Sequence, residues 1–109
     1  MAEFGHEDAQ AALTEAVPLE VARGKLVYVR RDISGAELHE AIEASRAPED
    51  ERLWRIAHIY LANADGSRRF PVDVAQTELD ALKAWPVRVL VAIAEKVDSA
   101  SDSGDIEGN

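Results

Sequence analysis

The chain has 109 residues, no cysteine, and 21 acidic against 12 basic residues, for a net charge of −9. That length fits one domain, and the missing cysteines exclude disulfides, thiolate chemistry and cysteine-based zinc sites. The charge opposes a phosphate backbone and no basic stripe offsets it, so nucleic acid is not an expected partner. No run approaches the ~18 apolar residues of a membrane span, and no basic-then-apolar leader is visible; the expectation is a soluble, intracellular protein with no membrane contact.

Residues 1–17 hold four acids and no Lys or Arg, and 98–109 again hold four acids and no base. Both segments lack the large side chains that would offset ordering entropy, so both are expected to be disordered acidic tails. Eight of the 21 acids lie there, leaving 13 acids against 12 bases in 18–97, the expected domain.

The domain opens with PLEVARGKLVYVRR, where Leu19 and Val21 alternate with Glu20 and Ala22, and Val27 and Val29 alternate with Leu26, Tyr28 and Arg30. This predicts two strands joined by a tight turn at Arg23-Gly24. Next, Ser34 with Glu37 three residues on is a capping-box signature for a helix. Its inward stripe is expected to be Leu38, Ala41, Ile42 and Ser45, with Glu37, Glu40 and Glu43 on a solvated side. Pro48 and the acids Glu49, Asp50 and Glu51 open a second helix, in which Leu53, Ile56, Ala57, Tyr60 and Leu61 recur at helical spacing. A strand reading of IAHIYLA stays open. Asp65-Gly66 marks a turn, SRRF a short extended piece, and Pro71 a stop.

A third helix is predicted within DVAQTELDALKAW, with Leu79, Leu82 and Trp85 inward. A fourth starts at Pro86 and carries Val87, Leu90, Val91, Ala94 and Val97 on one stripe. Val89 and Ile93 fall off that stripe and are expected to remain exposed in a compact monomer. The predicted fold class is therefore α+β: an N-terminal β-hairpin packed on a small bundle of about four helices, with disordered acidic tails.

The order of these features resembles the tail assembly chaperones of long-tailed, siphovirus-type bacteriophages. The resemblance rests on VYVRR at 27–31, Ser34-Gly35-Ala36-Glu37, an arginine-bearing apolar helix running into ADGSRRF at 64–70, a Leu-containing helix, and PVRVLVAIAEKV at 86–97. It covers 18–97 and leaves both tails outside. The chain departs from the family at its end, where EKVDSASDSG stands in place of a frequent Asn-Gly. The resemblance implies a non-enzymatic protein in the host cell cytoplasm that binds the tape-measure protein, keeps it soluble while tail-tube protein polymerises around it, and is absent from the finished virion. Members of that family are often made in two lengths, the longer by a ribosomal frameshift, and the acidic C-terminal tail fits a linker to such an extension and a plain terminus equally well. The alternatives are a small head-tail connector or tail protein retained in the virion, and an intracellular protein-binding adaptor.

Chemistry elsewhere reads as structural. His58, Asp65 and Ser67 fit an aromatic flank beside Trp54 and a turn better than a Ser-His-Asp site, which needs a nucleophile, base, orienter and oxyanion hole together. No His-x-x-x-His, calcium-loop or phosphate-loop pattern occurs, so no catalytic, metal or cofactor residue is assigned. Arg30 and Arg31, and again Arg68 and Arg69, read as exposed charge or as contacts for acids on a partner. With Val89 and Ile93 they form the expected partner-binding set, the apolar pair being hidden by a client or by homo-oligomerisation.

Overall fold

The computed structural model describes residues 3–105. Its elements are α1 (His6–Leu13), β1 (Ala16–Ala22), β2 (Lys25–Arg30), a 3-10 turn (Gly35–Glu37), α2 (Leu38–Arg46), α3 (Glu49–Tyr60), β3 (Leu61–Ala62), α4 (Gln76–Lys83) and α5 (Val87–Asp105). The architecture is α+β: a three-stranded antiparallel sheet in the order β1-β2-β3, with helices packed against it.

The hairpin forms as the alternation predicts. Val17 pairs with Val29 and Leu19 with Val27, and Gly24 turns the chain at φ 73°, a left-handed value that glycine adopts without a Cβ penalty. Val27 and Val29 are buried, and Val17, Leu19 and Val21 pack beside them. The third strand is the surprise of the sheet. Helix α3 ends at Tyr60, and the next two residues straighten so that Leu61 pairs with Val29 and Ala62 with Tyr28. The two readings of IAHIYLA thus divide the segment, helix first and strand last. Arg68 then bridges back to Ala62 after the Asp65-Gly66 turn, where Gly66 has φ 91°.

Two boundaries differ from the sequence reading. The stretch 1–17 is not tail throughout: α1 occupies His6–Leu13, with Glu7 and Asp8 in its first turn complementing the helix dipole, and β1 already starts at Ala16. None of the residues of α1 is buried. At the other end α5 runs on past Val97 to Asp105; residues 106–109 of the expected acidic tail lie outside the described residues.

The core gathers Val27, Val29, Ala57, Leu61, Phe70, Leu82, Leu90, Ile93 and Val97, with Val89 also inside. Val89 and Ile93 therefore do not form an exposed surface: they are 7% and 0% accessible, whereas Val87, expected inward, is 67% exposed. The reason is that α5 packs on α3 and on β1 and β2 together. The buried set Val89, Leu90, Ile93 and Val97 follows helical spacing, one step round from the expected stripe, and a helix wedged between a sheet and a helix buries a wide face.

Candidate protein-binding site

The paired arginines divide by strand alternation, successive side chains on extended backbone pointing to opposite sides. Arg30, at the end of β2, turns inward and is 5% exposed. It grips Glu37 with both terminal nitrogens, each at 2.8 Å, and Nη1 also donates to the carbonyl of Ile59 at 3.0 Å. Arg68 repeats the arrangement after the Asp65-Gly66 turn. It donates to Glu40 at 2.9 and 2.7 Å, to Glu37 at 2.9 Å, and to the carbonyl of His58 at 3.3 Å.

The result is an alternating row Arg30–Glu37–Arg68–Glu40 whose four side chains are 5–20% exposed. The carboxylates sit at the start of α2, the positive end of its dipole, and the guanidiniums reach carbonyls in the last turn of α3, the negative end of its own. Hydrogen bonds from Arg30 pull the Glu37 carboxyl down to about 2, and those from Arg68 lower Glu40. The same Glu37 accepts the backbone N–H and hydroxyl of Ser34, each at 3.0 Å, so the predicted capping residue also anchors the row.

Arg30 and Arg68 are therefore internal fasteners and not partner contacts. Their outward neighbours differ from them. Arg31 lies 4.0 Å from Glu15 with both side chains over 40% exposed, and Arg69 stacks over Phe70 and Trp85 at 5.3 and 5.5 Å.

The row also inverts α2. Because Glu37 and Glu40 face the arginines, the expected inward stripe turns outward: Leu38 is 53% and Ile42 38% exposed, while Ala44 and Ala47 are buried. Beside this stripe runs a groove of about 410 Å³ between α2, α3 and the later part of α5, walled by Ala41, Ala44, Ile56, Ile59, Tyr60 and Val97, with Ser45, Arg52 and Asp98 at its edge. Burial raises the Tyr60 hydroxyl above its usual pKa, so it stays a neutral donor. Leu38, Ala41, Ile42 and Ser45 lie three and four residues apart, the spacing of one helix face.

The polar residues of the 58–67 region close on themselves. Ser67 donates its amide and hydroxyl to Asp65 Oδ1 at 2.9 and 2.6 Å, which lowers the Asp65 carboxyl, and Asn63 donates to the Ser67 hydroxyl at 3.0 Å. His58 Nε2 instead lies 3.0 Å from the carbonyl of Pro71. The Ser, His and Asp are thus not assembled as a triad. Among the described residues no cluster of three or more His, Asp or Glu is placed to hold a metal, and no helix is long and apolar enough to cross a membrane.

Sequence reasoning missed Glu37 and Glu40 as buried partners and Ile56, Ile59 and Tyr60 as groove walls. The two Arg-Arg pairs, one at the end of β2 and one at the isolated bridge of Arg68 to Ala62, held a signal, since alternation turns one member of each pair inward and a buried guanidinium needs a carboxylate. Comparisons with protein-family models, curated proteins and solved structures return no match.

Proposed function

We propose that the chain is a non-enzymatic assembly chaperone of the phage-tail kind, which holds an apolar helical stretch of the tape-measure protein until tail-tube subunits enclose it. The reading places the protein in the host cell cytoplasm and outside the finished particle. The observation that carries it is the inverted α2: Leu38 and Ile42 are exposed where a monomer would ordinarily turn them inward, and Ala41, Ala44 and Ser45 of the same helix line the groove against α3 and α5. A client helix fits such a groove through side chains at i, i+3 or i+4 and i+7, burying apolar surface that would otherwise drive its aggregation. The working surface moves accordingly from Val89 and Ile93, which are core, to α2, α3 and the later part of α5.

The experiment is co-expression with a long helical tape-measure protein, comparing wild type with Leu38→Asp plus Ile42→Asp. Both positions are partly exposed, so circular dichroism should show an unchanged fold. Wild type should keep the client soluble and co-purify with it, and the double variant should do neither. Equal rescue by both proteins would overturn the outward face of α2 as the client site, and no rescue by wild type would overturn the chaperone reading.

A further inference from the structure

A second surface lies at the turn end of the hairpin, away from the client groove. Here Val21, Leu26, Trp85 and Val89 line a pocket of about 330 Å³, and Lys25 and Arg69 stand at its margin. Arg23 and Arg88 belong to the same end, Arg23 in the hairpin turn and Arg88 donating to the carbonyl of Val21 at 3.1 Å. Among the described residues none of these four bases is in an ion pair; the nearby Glu20 carboxylate is engaged by the amide of Gly24 at 3.0 Å. In a chain of net charge −9 this is an apolar pocket at an end of the fold that carries four bases against the one carboxylate of Glu20.

The complementary feature is on the same chain. Phe4 is 75% exposed just ahead of α1, a helix with no buried residue; Glu3 precedes it, and Glu7 and Asp8 follow in the first turn of α1, Asp8 accepting the amide of Gly5 at 2.9 Å. An aromatic anchor flanked by acids is what an apolar pocket with a basic rim receives, the ring filling the pocket and the charges setting the approach. The seven residues of β1, roughly 20 Å of strand, separate the root of this arm from the pocket.

We propose that the pocket receives the Phe4 arm of a second copy of this chain, joining copies head to tail through a heterologous contact. This rests on a surface and residues different from those of the client groove, so it stands or falls independently of the chaperone reading.

The test is sedimentation velocity of the full chain up to roughly 1 mM, the weak end of measurable association. Two variants break opposite halves: Phe4→Ala the arm, and Lys25→Glu with Leu26→Asp the pocket. Wild type should associate, less so as salt rises from about 0.05 to about 0.5 M because the contact is charged. Each variant alone should be at least about tenfold weaker, and the equimolar mixture, which restores one intact arm and one intact pocket, should form a heterodimer. Arg69→Glu serves as a second pocket variant if the first fails to fold. A wild type that stays monomeric, whether its pocket is empty or filled by its own arm, overturns the proposal. So does a mixture that stays monomeric, or association that survives Phe4→Ala, which would assign the pocket to another segment such as the acidic C-terminus.

Discussion

Replacing Glu37 with Gln keeps the side-chain shape and removes the one carboxylate shared by the buried Arg30 and the partly buried Arg68. Arg68 would keep Glu40, but Arg30, 5% exposed, would be left without a carboxylate, its acceptors being the introduced amide oxygen and the Ile59 carbonyl. Breaking a buried pair by removing one partner costs about 3–5 kcal/mol, a large part of the ~5–15 kcal/mol that holds a domain of this size. The lowered Glu37 carboxyl points the same way. The carboxyl goes from 4.5 to about 2 on folding, a difference worth about 3 kcal/mol. A depressed folded value means that this stability is fully present above pH 4.5 and is lost as pH falls towards 2. Urea unfolding should therefore show Glu37→Gln less stable by about 3–4 kcal/mol at pH 7, with a melting point lower by roughly 15 °C. Between pH 4.5 and 2 the variant should lose markedly less stability than wild type, the remainder coming from the other lowered carboxyls, Glu40 and Asp65. Arg30→Met with Glu37→Leu removes both charges and should cost less than Glu37→Gln alone. A loss under about 1 kcal/mol at pH 7, or an unchanged acid slope, would refute the buried row as a fastener.

Ile93→Ala should cost about 2–5 kcal/mol because the side chain is fully buried, whereas Val87→Asp, at 67% exposure, should stay within about 0.5 kcal/mol; the reverse order in urea unfolding would restore the discarded stripe on α5. Gly66→Ala should destabilise sharply, since the residue has φ 91° and an added Cβ would overlap the carbonyl of Thr14; a thermal melt unchanged from wild type would contradict that close approach. Ser67→Ala should cost about 1 kcal/mol through lost turn hydrogen bonds and leave client rescue intact, while loss of rescue in a well-folded variant would point to a role in recognition or chemistry.

What the sequence made legible was what neighbours along the chain decide. The Gly24 turn, the Ser34–Glu37 cap, the Pro48 helix start and the Asp65-Gly66 turn each depend on a few adjacent residues, and each is found where the pattern placed it. The face of α2 is different. Periodicity sends Leu38 and Ile42 inward, but Glu37 and Glu40 meet arginines seven and 28 residues away, and those ion pairs fix the rotation of the helix. The same holds for α5, whose buried face is set by simultaneous contact with the sheet and α3. It holds again for Leu61 and Ala62, two residues whose strand state depends on β2. The apolar groove was illegible for the same reason, since its walls come from three helices whose rotation the local pattern misassigned or left open.

The central claim is that the outward face of α2 and the adjoining groove hold an apolar helix of the client. Amide chemical-shift mapping of the full chain, titrated with the client's helical segments, tests it most directly. Shifts should concentrate at Leu38, Ala41, Ile42, Ile56 and Tyr60, with Val29 and Leu82 in the core unmoved. Saturable binding whose shifts fall elsewhere, or no shifts at all with a client shown to be helical, would contradict it.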